Sequence, residues 1–396
     1  MFPTESPAPL KTKLKVKFGE SSWRLATREV EAFVTETGGQ LGPVTFQIGG
    51  KSIRPFSIAP WVEEQVDPSV PTVDRLQRGD FFCLPFGGNA TPFKGEHHPV
   101  HGETANRRWR LESATPHSLH LSLATKIRKG RVDKYVSLLS GQTAIYQRHI
   151  ISGMAGPMSF GHHAILKMPD HPGSGRISTS RFKTGNVVPV PLENPAAGGY
   201  SSLQAGGQFR SLARVPMANG GFTDLSVYPA RRGFDDIVVL MSDIRQPFTW
   251  TAVTFPAEGY VWFALKDPHV LGQTLLWLSN GGRHYAPWNG RYFNALGLEE
   301  VTSYFHYGLA ESAKRNPLSL KGYTTTHQLD PKQPMTVNYI MALATIPKGF
   351  DRVREIIQTT DGKSVRLISY NGRSIGVALD MGFLSAKNHG QRRISK

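Results

Sequence analysis

The chain has 396 residues, of which 39 % are hydrophobic and 10 % aromatic, and a mean hydropathy of −0.30. It has no apolar run long enough to span a bilayer as a helix, so it is neither a disordered polyelectrolyte nor a helical membrane protein. The single cysteine, Cys83, excludes a disulfide framework and any cysteine-rich zinc site, and suits a reducing compartment.

The net charge of +16 is uneven. Residues 1–17 hold four lysines against one glutamate, and residues 386–396 hold four basic residues and no acidic one. None of the zinc-finger, basic-helix or aromatic-strand patterns of nucleic-acid readers is present, so the basicity reads as a surface that attracts small anions rather than nucleic acid. The N-terminal sequence MFPTESPAPLKTKLKVK lacks the apolar core of a secretory signal, from which a cytoplasmic location is expected.

Forty Gly and 28 Pro predict many turns and few long helices. In chain order, Leu14, Val16 and Phe18 alternate with Lys13, Lys15 and Lys17; Val30, Ala32 and Val34 alternate before Gly38-Gly39; and Leu119, Leu121 and Leu123 alternate again. Period two is the pattern of half-buried strands. The segment 187–218, containing PVPLENPAAGGYSSLQAGGQ, reads as a long loop or insertion. Helical spacing is expected over 299–315, with Val301, Tyr304, Phe305 and Leu309 on one face, and over 347–357, with Phe350, Val353, Ile356 and Ile357. SVRLISY and RSIGVAL flank Asn371-Gly372, which predicts a hairpin with a type I′ turn. Residues 386–396 have no apolar period and read as a basic flexible tail. The expectation is an all-β chain of antiparallel sheets packed face to face, with short peripheral helices, forming one domain over residues 11–385.

The fourteen histidines cluster at His97, His98 and His101 and again at His162 and His163. Pro99 interrupts the first cluster, which rules out two histidines one helical turn apart as in zinc proteases. A loop-built metal site from His98, His101 and Glu103, of the cupin type, is one alternative. Trp262, Phe263 and Trp288 are either a stacking platform for a pyranose or core residues.

His101-Gly102, followed by Asn106 and Trp109 and preceded by Leu84-Pro85-Phe86-Gly87, resembles the first histidine motif of the galactose mutarotase-like (aldose 1-epimerase) superfamily. In the hexose-phosphate branch an Arg follows the His-Gly pair by three positions; Ala105 stands there in this chain, with Arg107 and Arg108 close by. Gly161-His162-His163-Ala164-Ile165 is similar to the family's second histidine motif, and LLWLSNGGRHYAPWNGRYFNALGLEEVTSYF is similar to its carboxylate segment, which maps to Glu299 with Glu300 beside it. TETGGQLGPVTF, residues 35–46, looks like its N-terminal Gly-Gly strand pair. The resemblance covers about residues 30–310.

The resemblance implies a large antiparallel supersandwich acting on a carbohydrate. Interconverting aldose anomers removes the proton from O1 and delivers one to the ring oxygen, for which one base and one acid suffice without metal or organic cofactor. On this reading Glu299 is the base, His163 the acid and His101 a second imidazole that holds the sugar or the opened carbonyl, with His162 and Glu300 as adjacent rivals. Expected substrate-binding residues are His162, Asn89, Arg108, Trp262 and Trp288. The expected ligand is a monosaccharide or derivative, with an anionic one suggested by the basic charge balance. A non-catalytic carbohydrate-binding protein of the same fold is the main alternative.

Overall fold

The alternating segments form antiparallel strands. The computed structural model describes residues 13–385, so the basic 386–396 segment lies outside the described residues. The N-terminal part forms a five-stranded sheet from Lys15–Lys17 through Glu20–Ala26, Val30–Thr35 and Leu41–Ile48 to Lys51–Ile53. Two larger sheets follow, one of nine strands and one of seven. At the middle of the nine-stranded sheet, Met335–Thr345 lies between Tyr260–Lys266 and Ala144–Ser152. In the seven-stranded sheet Phe234–Ser242, Gln273–Asn280, Ala295–Thr302 and Phe160–Lys167 lie side by side, with the short Phe82–Cys83 at the edge.

The main core lies between these sheets and includes Ala164, Leu276, Leu298, Leu121, Trp262 and Leu343. Both large sheets are also covered on their outer faces. A second core, with Phe263, Trp250 and Ile340, is closed by the C-terminal strands Val353–Gln358, Ser364–Ser369 and Ser374–Ala378. A third, with Trp61, Phe81, Phe86, Leu275 and Trp277, coats the outer face of the seven-stranded sheet.

This double covering explains where sequence periodicity misleads. Ala295–Thr302 is buried at every position, so it shows no alternation, and residues 299–302 end this strand rather than begin a helix. Only Leu309–Ala313 of the expected 299–315 helix is helical. The 347–357 segment is also not a helix: Val353–Gln358 is a strand with a bulge between Val353 and Glu355. The extra residue lets Val353 and Ile356, three apart, both face the second core, which mimics a helical stripe. The Asn371-Gly372 hairpin forms, but only Gly372 has positive φ, at 84°, so the turn is not type I′, which needs two such residues. It closes instead through Gly372 N–H to Ser369 O and Ser369 N–H to Arg373 O. The 187–218 segment is the expected excursion, with one short 3₁₀ turn at Pro195–Ala197 and two-residue strands at Gln208–Phe209 and Val215–Pro216.

Candidate active site

Register assigns the adjacent histidines and glutamates to opposite faces. Phe160–Lys167 pairs with Ala295–Thr302 so that His162 faces Glu300 and His163 faces Glu299. Because successive side chains alternate, one His–Glu pair points outward and the other into the sandwich. On the outer face His163 Nε2 lies 3.2 Å from Glu299 Oε1, with both side chains buried. Phe81 stacks on the His163 ring at 4.5 Å between centroids and fixes its plane. A side chain at Gly297 would place its Cβ 2.7 Å from Glu299 Oε1, so glycine leaves the space the carboxyl occupies.

His101 reaches the same place from a loop. Its φ of +58° and the +75° of Gly102 turn the chain sharply, and a Cβ at Gly102 would stand 1.9 Å from Leu84 O. The His101 N–H donates to Gly87 O at 2.7 Å, and Gly87 N–H donates to His101 Nδ1 at 3.4 Å. With Nδ1 accepting, the neutral ring carries its proton on Nε2. The His101 and His163 rings meet edge to face, 4.9 Å apart. Asn89 turns its amide to the backbone of this loop. Its amide donates to Pro85 O, Gly87 O and Pro99 O and accepts from Leu309 N–H, which makes it the clamp of this loop.

The three residues line one cavity of about 150 Å³, together with His306, Trp277, Trp288, Arg283, Asp74 and Gln77. That volume is below the range of about 300–1,000 Å³ usual for drug-sized ligands, which fits a small molecule. Arg283 is stacked between Trp277 and Trp288, its guanidinium 5.2 Å and 5.0 Å from their rings. Its Nε donates to Glu193 Oε1 at 2.8 Å and lies 3.6 Å from Asp235 Oδ1. Trp277 Nε1–H and Gly282 N–H hold Asp235, and Tyr285 O–H holds Glu193. The cation is therefore matched inside the protein.

Burial governs the electrostatics. It pushes the Glu299 carboxyl well above the usual carboxylate range, with Arg283 pulling the other way. It pushes the His163 imidazole well down, and His101 and Arg283 add to the effect. His101 falls to about 3 and His306 to about 4 for the same main reason. Burial thus favours the uncharged form of each of these groups.

The other expected residues lie elsewhere. His162 points into the sandwich, where its Nδ1 lies 2.9 Å from Asp80 Oδ2 in a buried network continued by Gln147 and Lys134. Glu300 also faces inward and pairs with Lys266, Thr251 and Thr274. Arg108 is exposed and bonds Glu36 at 2.6 Å, away from the cavity. Trp262 is fully buried in the main core against Phe56, whereas Trp288 does line the cavity. The cupin-type set does not assemble: His98 turns to Glu96, and Glu103 accepts from the Lys126 and Ile127 N–H groups and pairs with Arg107. Among the described residues, no group of three or more His, Cys, Asp or Glu is arranged to hold a metal ion. A larger cleft of about 530 Å³, lined by Lys17, Phe33, Arg54 and Phe56, contains none of the acid–base groups.

Sequence reasoning missed Arg283, Asp235, Glu193, His306, Asp74 and Trp277. One signal was available: Asp235-Asp236 opens the otherwise apolar strand Phe234–Ser242, and a charge there needs a partner.

No protein-family model matches the chain, and no curated protein matches it in sequence. Solved structures do share its fold. A candidate aldose 1-epimerase from Escherichia coli K12 superposes with a TM-score of 0.57 at 15 % identity, covering 83 % of this chain and 100 % of that one. A galactose mutarotase related enzyme from Lactobacillus acidophilus gives 0.54 at 12 % identity, with 82 % and 98 % covered. A candidate aldose 1-epimerase from Klebsiella pneumoniae gives 0.55 at 14 % identity, with 83 % and 80 % covered. The chain thus has the galactose mutarotase-like fold, an all-β supersandwich, as its motifs led one to expect.

Proposed function

We propose that this protein is an isomerase of the aldose 1-epimerase type, interconverting the anomers of a small sugar. The observation that carries the reading is the His163–Glu299 pair, 3.2 Å apart on a cavity wall with His101 alongside. The shared fold supports it.

Glu299 takes the O1 proton and His163 delivers one to the ring oxygen; the C1–O5 bond opens to the aldehyde, the carbonyl turns, and reclosure on its other face returns both protons. The pair needs a single proton between its members. Sugar hydroxyls that hydrogen-bond the Glu299 carboxylate place that proton on His163, and Arg283 also favours the carboxylate. His101, a neutral Nε2–H donor, holds the aldehyde oxygen while it turns.

The ligand is a neutral monosaccharide. Arg283 is the cavity's fixed cation among the described residues, and its Nε faces two carboxylates, Glu193 and Asp235, so the fixed charges around the cavity do not favour a phosphate or carboxylate. Polarimetry on freshly dissolved α-D-glucose and α-D-galactose tests the reading: the protein accelerates the approach to equilibrium, and the same sugars raise its melting temperature. Stabilisation without acceleration would leave a binding protein, and a preference for sugar phosphates would contradict the neutral ligand.

A further inference from the structure

The acid–base trio uses one side of the cavity. The other polar groups on its wall include two side chains from a single turn: Asp74, in the short helix Thr72–Arg75, and Gln77 just after it. The backbone of this turn is held by residues distant in sequence. Trp61 Nε1–H donates to Asp74 O at 2.8 Å, Val73 N–H donates to Asn106 Oδ1 at 3.0 Å, and Gln40 bonds both Val73 O and the Arg78 N–H. Its polar side chains are treated differently. The Asp74 residue is half-buried and its carboxyl makes no hydrogen bond or ion pair among the described residues, Arg283 being its one charged influence; Gln77, a residue only 3 % exposed, has its Oε1 buried without a partner. Trp288 Nε1–H, on a side chain 8 % exposed, is likewise unpartnered on the same wall. Buried polar groups are rarely left unpaired unless something else pairs them.

We propose that Asp74 and Gln77 read the hydroxyls of the sugar ring remote from the anomeric carbon, and so set which sugar the site prefers. This rests on the carbohydrate reading of the cavity. A hydroxyl donates one hydrogen bond and accepts others, and a carboxylate beside an amide oxygen on one rigid turn offers acceptors for two neighbouring hydroxyls. The rigid backbone keeps them in place before the ligand arrives, so little ordering opposes binding.

The test compares the wild type with Asp74→Asn and Gln77→Leu. Anomer exchange and thermal stabilisation are measured with D-glucose, D-galactose, 2-deoxy-D-glucose and D-xylose. Neither side chain bonds the rest of the fold, so both variants should melt near the wild type. For the preferred sugar, KM rises on the order of tenfold, the effect of losing a hydrogen bond to a charged or buried group, while kcat stays near wild type. The ranking of the four sugars flattens. Wild-type KM values with an unchanged ranking overturn the inference, as does a loss confined to kcat, which would place these residues in the proton transfers. A wild-type protein that neither exchanges nor is stabilised by any of the four sugars overturns the carbohydrate reading itself, and this inference with it.

Discussion

His163 Nε2 stands 3.2 Å from Glu299 Oε1 across one rung of an antiparallel ladder, and both side chains are almost wholly removed from water. Burial penalises imidazolium and carboxylate alike, lowering His163 well below and raising Glu299 well above their ordinary values. An exposed imidazole would change state near pH 6.5. Asp74, raised to about 6, lines the same cavity, so the profile is read in Asp74→Asn: kcat/KM for anomer exchange there shows no inflection near 6.5, and a limb centred on that value would mean that His163 titrates as a solvated group.

The neighbouring residues supply the control. Glu300 pairs with Lys266 between the sheets, so Glu300→Gln leaves a buried ammonium without its counter-charge. Breaking such a pair costs about 3–5 kcal/mol. Chemical denaturation should show a loss of that order, while anomer exchange per folded molecule stays near wild type.

Stability should fall on acidification from pH 6.5. Burial lowers His98, His101, His149, His162, His163, His306 and His327 below their ordinary value of 6.5, with His101 reaching about 3 and His306 about 4. Their stabilisation is fully present above 6.5 and is lost as pH falls toward the folded values, because the unfolded chain takes up protons that the native state refuses. Each contributes a slope of up to about 1.4 kcal/mol per pH unit. Asp74 and Asp235, raised to about 6, and Glu20 and Glu299, also raised, act oppositely but are fewer. Melting temperatures measured from pH 7.5 to pH 5 should decrease steadily; a constant value would contradict the buried neutral imidazoles.

Gly102 tests the loop that presents His101. Alanine there must hold a φ of +75° and place its Cβ 1.9 Å from Leu84 O, so the loop has to move. Backbone strain alone costs about 1–3 kcal/mol. Gly102→Ala should lower stability by at least that amount in denaturant and reduce exchange further than the loss of folded protein explains.

Much of this arrangement was legible in the sequence for specific reasons. Ser118–Thr125 alternates because one of its faces packs into the core. His101, His163 and Glu299 sit in short motifs that keep their order along the chain, and they meet at one cavity. Deciding between Glu299 and Glu300, or His163 and His162, requires a register, and strands covered on both faces carry no alternation from which to read one. Arg283 and Glu193 come from loops after and before the sheet strands, and what pairs them is tertiary contact alone. Trp262 and Trp288 look equivalent as sequence, yet one is in a core strand and the other in a loop on the cavity wall.

The most direct test is anomer exchange measured by saturation-transfer NMR for the wild type, Glu299→Gln and His163→Ala. Both substitutions remove one member of the proton couple, and a positioned acid or base is worth about 10²–10⁴ in rate. The expected result is rapid exchange by the wild type and a loss of that order in each variant, with the fold retained. Exchange at the wild-type rate in both variants would contradict the assignment.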